Sequence, residues 1–154
     1  NDMHQAESTH NMNAIGYGAE GCDGRDHEQM QLYVVNNTFV NEAWKGTLVW
    51  NHVGANVLLA NNLLIGRGSL LLGKGEKKNN LELKISRRLQ DSWAPPPDSK
   101  AIDGAAELAD AGGVSLLPGH VFNPPAGTSV RNRNGPLDIG SREAAEQANP
   151  AATH

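Results

Sequence analysis

The sequence predicts an all-β chain coiled as a parallel β-helix, a single-stranded solenoid of about four rungs with an irregular, proline-rich C-terminal segment. Three observations predict it. Leu32-Tyr33-Val34-Val35-Asn36-Asn37-Thr38-Phe39-Val40-Asn41 is echoed by Val57-Leu58-Leu59-Ala60-Asn61-Asn62-Leu63-Leu64-Ile65-Gly66 at an offset of 25 residues. Gly46-Thr47-Leu48-Val49-Trp50 returns as Gly68-Ser69-Leu70-Leu71-Leu72 at an offset of 22. The composition, 38% hydrophobic and 5% aromatic with 17 glycines in 154 residues, suits short strands joined by many turns. Two independent echoes agree on one rung length, with loops absorbing the difference. Stacked units explain that better than a meander.

Taken in order, residues 1–30 are polar and turn-rich, with one apolar island at Met12-Asn13-Ala14-Ile15-Gly16-Tyr17-Gly18 that reads as a short strand followed by a loop. Strands then follow closely at 32–35, 38–40, 47–50, 57–60, 63–65, 69–72 and 81–85. Aliphatic and aromatic residues such as Val35, Phe39, Leu59, Leu64 and Leu71 are expected to pile on one another across rungs. The doubled asparagines fall where one strand turns sharply into the next, a place where the left-handed conformation is common and Asn tolerates it. If Asn36 or Asn37 stacks on Asn61 or Asn62, the amides can bond up the ladder. An interior Asn without such a partner would cost about 1–3 kcal/mol. Asn79-Asn80 is a third pair, but its offset of 18 is short for a full rung. The competing reading is a sandwich with asparagines in ordinary turns.

From residue 89 the rhythm breaks. Trp93-Ala94-Pro95-Pro96-Pro97, Leu116-Leu117-Pro118, Phe122-Asn123-Pro124-Pro125 and Pro136-Leu137 read as extended and irregular, because proline cannot donate to a ladder. Ala105–Ala111 has the composition of a short helical turn. Residues 141–154 are rich in Ala and Glu and read as frayed.

The formal charge of −4 is unevenly spread. Residues 1–43 carry seven acids and one base, residues 44–88 eight bases and two acids, and residues 89–154 eight acids and four bases. The basic middle either attracts an anionic polymer or is solvated charge on outward strand positions. Cys22 is the single cysteine, so no internal disulfide forms. No run of eighteen apolar residues suggests a membrane span, and no nucleic-acid module or phosphate loop is present. The chain begins at Asn1, in the middle of what reads as a repeat, so a processed product or the C-terminal part of something longer is expected.

Ser99-Lys100-Ala101-Ile102-Asp103-Gly104-Ala105, then Leu116-Leu117-Pro118, then Leu137-Asp138-Ile139-Gly140-Ser141-Arg142-Glu143 resembles the closing segment of bacterial right-handed parallel β-helix proteins of the pectate-lyase-like superfamily. There the close reads Ser-Pro-Ala-Ile-Asp-x-Gly, a proline-bearing link, and Asp-Ile-Gly-Ala-(Tyr/Phe)-Glu. The two asparagine-bearing echoes resemble rungs of the same proteins. The resemblance spans roughly residues 12–143 and departs at Lys100, where proline is usual, and at Ser141-Arg142, where a small residue and an aromatic are usual. It implies a right-handed helix with rungs in 1–88, an irregular capping segment in 89–143 and a frayed tail in 144–154. It also implies a secreted, periplasmic or cell-surface protein directed at acidic polysaccharides such as pectin, alginate or chondroitin, as the C-terminal portion of a lyase-like enzyme. The alternative is a non-catalytic structural or binding β-helix of a cell surface or an assembly. Packing through the N-terminal rung, on a second copy or on an upstream β-helix portion, is expected in either case.

Catalytic residues stay unknown. Lysis of a uronate needs a base near the C5 proton and a cation to neutralise the carboxylate. Arg67, Lys74, Lys77 and Lys84 are the available bases, and Arg67 and Lys74 are taken as the substrate contacts. A hydrolase needs two carboxylates across a cleft, and the rungs offer only Glu42, Glu76 and Glu82, unpaired in sequence. His4, His10, Cys22, Asp23, Asp26, His27 and Glu28 match no compact zinc pattern, and Asp23-Gly24-Arg25-Asp26 is too short for a calcium loop, so no metal site is expected and these residues read as an exposed polar loop. Calcium enters only through the resemblance, and no other cofactor is implied. Trp44, Trp50 and Trp93 could stack on sugars or pack as end-caps. Asn36-Asn37-Thr38 is better explained as a rung corner than as a glycan acceptor.

Overall fold

Asparagine corners and short apolar strands do produce a stack. The computed structural model describes residues 1–21, 26–84, 93–123, 126–133 and 135–144. Among these the chain is all-β apart from one 3-10 turn at His27–Gln29. Ten strands run in sequence: β1 (Asp2–Gln5), β2 (Asn13–Tyr17), β3 (Gln31–Val35), β4 (Thr38–Asn41), β5 (Thr47–Asn51), β6 (Asn56–Ala60), β7 (Leu63–Gly66), β8 (Ser69–Leu72), β9 (Glu76–Lys78) and β10 (Leu81–Leu83). They sort into three parallel sheets in the orders β1-β4-β7-β10, β2-β5-β8 and β3-β6-β9. Every third strand returns to the same sheet, which is a stack of the solenoid kind. A separate antiparallel hairpin joins β11 (His120–Phe122) to β12 (Thr128–Val130).

The two echoes are the registers themselves. Thr38 lies beside Leu63, Gln31 beside Asn56 and Thr47 beside Ser69. Asn36, Asn61 and Asn79 turn each corner with φ of 51°, 54° and 50°, in the left-handed region that Asn enters at little cost. The asparagine that follows each is the inner ladder. Asn37 donates from its backbone N–H and its Nδ2 to Asn62 Oδ1, each at 3.0 Å. Asn62 repeats both bonds to Asn80 Oδ1 at 2.9 Å. Below them Asn1 donates to Asn37 Oδ1, and burial pushes the Asn1 amino group below its ordinary value. The third pair is therefore a full member of the ladder. Its short offset comes from shorter links and strands: Arg67-Gly68 replaces residues 42–46, residues 73–75 replace 52–55, and β8 and β9 are shorter than β5 and β6. Gly68 is needed in that short link, since its φ is 99° and a Cβ would lie 2.2 Å from the Gly46 carbonyl oxygen.

Phe39, Leu48, Val49, Leu59, Leu64 and Leu70 fill the space between the sheets. Val34, rather than the expected Val35, points inward, and Leu71 packs on this core while half-buried. Both core columns end in charge. Lys77 follows Val34 and Leu59, and Glu82 follows Met3, Phe39 and Leu64.

The outer face of β1-β4-β7-β10 is covered by the C-terminal segment. Val40, Leu63 and Ile65 meet Ala101 and Ile139 in a second apolar cluster, with Trp93 against it. Asn36 Nδ2 donates to the Asp138 carbonyl, Asn61 Nδ2 to the Ala106 carbonyl, and Gly140 N–H to the Asn61 carbonyl. Arg131, 4% exposed, donates to the carbonyls of Asp138 and Gly140 and pairs with Glu143. Arg142 pairs with Asp2, tying the C-terminal segment to the first strand.

Several expectations need correction. Residues 2–5 form a strand within the stretch read as polar loop, because β4 recruits their backbone. Ala105–Ala111 is extended rather than helical, since Ala105 and Ala106 give their N–H groups to Leu137 and Asn61. The irregular stretch around Phe122 contains the β11–β12 hairpin. Residues 141 and 142 are held rather than frayed, with Ser141 bonded to Thr38 Oγ1. Ile85, the 88/89 boundary and residues 145–154 lie outside the described residues.

Two predictions follow from the packing. Asn62→Ala orphans the N–H of Asn37 and the carbonyl of Val34 and leaves Asn37 Nδ2 with only its bond to the Val35 carbonyl, and should lower unfolding free energy by about 2 kcal/mol or more at about 1–3 kcal/mol per buried group. A urea titration showing a loss below about 1 kcal/mol would exclude a structural ladder. Replacing Lys77 and Glu82 together by Leu should make light scattering rise with protein concentration, whereas Glu76→Leu on the outward face should not.

Candidate functional site

Of the three sheets, β2-β5-β8 leaves its outer face most open. Strand alternation sends Val49 fully into the core and Trp50 outward. Trp50 stacks on His52 with ring centroids 4.1 Å apart and planes at 23°. In register Gly16 lies on one side of Trp50 and Leu72, 47% exposed, on the other. The glycine leaves the approach to His52 clear: a Cβ there would sit 3.9 Å from Nε2. This makes a flat platform of two rings and a leucine.

Cations stand at both edges. Arg67 occupies the corner between β7 and β8, and Lys74 the corner between β8 and β9. The structure therefore does not bring the two predicted contacts together. They flank the platform from opposite ends of β8. Each corner is held from the preceding turn by a buried asparagine. Asn41 Nδ2 donates to the Arg67 carbonyl at 2.8 Å, and Asn51 Nδ2 to the Lys74 carbonyl at 2.7 Å. Asn41 also reaches the Lys45 carbonyl, so Lys45 and Arg67 stack on one corner in successive turns. Lys45 Nζ lies 4.0 Å from the ring centroid of Trp44, which is 70% exposed. Among the described residues the ion pairs are His4–Glu42, Arg131–Glu143 and Arg142–Asp2, so Lys45, Arg67 and Lys74 have no carboxylate partner.

The other candidates are dispersed. Lys77 and Glu82 close the core columns, Lys84 is exposed after β10, and Glu76 sits on the outer face of β3-β6-β9. Glu42 pairs with His4 at 3.2 Å on another edge. Glu42, Glu76 and Glu82 thus belong to different surfaces and form no pair across a cleft. Trp93 packs on the second core, edge-on to His4 at 5.9 Å. The acceptor residue of the sequon, Asn36, is 3% exposed with its amide bonded to Asp138, so it serves the corner. Cys22, Asp23, Gly24 and Arg25 lie outside the described residues. No group of three metal-binding side chains and no helix long and apolar enough to cross a membrane occurs among the described residues.

Sequence reasoning missed His52 and Lys45. The signal for His52 was its i+2 spacing from Trp50, which puts both on one face of an extended chain. Lys45 became visible only through the register that sets Gly46 beneath Ser69, at 2.9 Å from its N–H to the Gly46 carbonyl. Chemically the face offers aromatic stacking and unpaired positive charge, with no carboxylate pair. No protein-family model, curated protein or solved structure matches the chain.

Proposed function

We propose that the chain is a right-handed parallel β-helix of pectate-lyase-like type that binds an acidic polysaccharide on the outer face of β2-β5-β8, at a cell surface, in the periplasm or outside the cell. One observation carries this reading: the Trp50–His52 stack lies between corners bearing Lys45, Arg67 and Lys74, none of them in an ion pair. The apolar face of a sugar ring packs on an aromatic surface, and carboxylates or sulfates on the same chain are drawn to unpaired cations. The scattered carboxylates favour binding over cleavage by these residues. If a longer protein carries this stack, the face supplies substrate contacts for chemistry done elsewhere along it.

Columns of immobilised pectate, alginate or chondroitin sulfate should retain the protein at low ionic strength and release it as salt screens the cations. Trp50→Ala should weaken retention about fivefold with its salt dependence unchanged, matching the loss of roughly 1 kcal/mol of stacking. Replacing Lys45, Arg67 and Lys74 by Ala should flatten the salt dependence. No retention on any of the three polymers would overturn the reading. Ultraviolet absorbance of unsaturated uronates in the same incubations would show cleavage instead.

A further inference from the structure

The outer face of β3-β6-β9 carries a trough that shares only Lys74 with the saccharide reading. Two contiguous hollows, of about 440 and 450 Å³, share Gln31, Tyr33, Leu58 and Glu76. The register explains the floor. Tyr33 lies beside Leu58 and Leu58 beside Glu76, while their neighbours Val34 and Leu59 point into the core. Tyr33 donates its hydroxyl to Gln31 Oε1 at 2.6 Å, which holds the ring across the trough. Lys74 stands at one end and Lys78 at the other, and neither is in an ion pair.

One wall is the run from Leu108 to Gly112, extended as far as Ala111 and turning at Gly112, whose φ is 57°. It is tied down on either side. Ala106 N–H donates to Asn61 Oδ1 and Lys78 Nζ to the Glu107 carbonyl, and Ala111 and Val114 exchange a pair of backbone bonds. Between these ties the N–H groups of Leu108, Ala109 and Asp110 make no hydrogen bond among the described residues. Extended backbone with unused donors beside an apolar floor is the arrangement that accepts an added strand.

We propose that this trough docks an extended peptide of a partner protein. Leu108 and Asp110, whose N–H groups lie on the side of the chain that Ala106 turns toward Asn61, supply main-chain bonds at the ordinary strand spacing of about 4.8 Å. An apolar side chain of the peptide descends onto Tyr33 and Leu58, and carboxylates on either side of it meet Lys74 and Lys78.

The test is a titration of the isotope-labelled protein with the capped pentapeptide Glu-Thr-Leu-Thr-Glu, followed by amide chemical shifts. Saturable shifts should gather at Tyr33, Leu58, Leu108, Ala109 and Asp110. Asp110→Pro, which deletes one of the two N–H groups on that side, should weaken binding about tenfold, and Asp110→Ala, which keeps it, should not. Leu58→Arg, which fills the floor from an outward position, should abolish it with circular dichroism unchanged, and Trp50→Ala should leave it intact. Absence of saturation up to about millimolar peptide would overturn the proposal. Shifts confined to the free edges of β1, β2 and β3 would replace it with edge pairing, and displacement of the peptide by oligogalacturonate would reassign the trough to a saccharide.

Discussion

Everything in this protein depends on the asparagine corner. One residue of each pair adopts the left-handed conformation that turns β3 into β4, β6 into β7 and β9 into β10. Its neighbour points inward and spends its amide on the turn above. Asn62 shows why both are needed. It accepts two bonds from Asn37, gives two to Asn80, and donates to the Val34 carbonyl, all while fully buried. A hydrophobic residue at that position would leave two backbone groups of the neighbouring turn, the Asn37 N–H and the Val34 carbonyl, without partners, which costs more than its burial would return. The ladder thereby fixes vertical alignment, and alignment lets Phe39 meet Leu64 and Val34 meet Leu59.

The outer asparagines do a second job. Asn36, Asn61 and Asn79 offer their amides to the carbonyls of Asp138, Ala106 and Gly104. The chain that leaves the stack is thus received by the corners that built it, and Ala101 and Ile139 come down on Val40, Leu63 and Ile65. The central strands β4 and β7 are buried on both faces as a result, which is why neither shows the polar alternation of a half-exposed strand. The stack also carries its own stop signal. Lys77 and Glu82 occupy core-facing positions that were apolar in the preceding turn, and a further apolar rung could not settle on them without stripping water from two charges.

Much of this was legible in the sequence because it repeats. The corners and eight of the strands, from Asn13–Tyr17 to Leu81–Leu83, are carried by local residue choice. What was not legible depends on a neighbour. Asp2-Met3-His4-Gln5 and Glu76-Lys77-Lys78 have poor strand composition and become strands because β4 and β6 present open edges to them. The alanines of 105–111 look helical by propensity, but Asn61 and Leu137 claim the first two N–H groups and hold the chain extended. The candidate face shows the same division. Arg67 and Lys74 stood out as charges, whereas the ring pair between them required knowing that Val49 faces inward.

The three sheets meet three different fates, and the contrast bears on function. The first is sealed by the C-terminal segment, and the third is partly walled by residues 108–112. Beside β2-β5-β8 two large apolar side chains stand in the open, Leu72 on its face and Trp44 at its corner, both more exposed than Tyr33 of the third sheet. Burying Trp50, Leu72 and Trp44 under another loop would gain roughly 25 cal/mol for each Å² of apolar surface covered, so their exposure is not what stability alone would select. The corners beside them bind their cations' backbones to buried Asn41 and Asn51 while leaving the charged heads unpaired. An apolar surface rimmed by unpaired charge has the character of a contact surface, and the proposed polysaccharide reading draws on the sign of that charge.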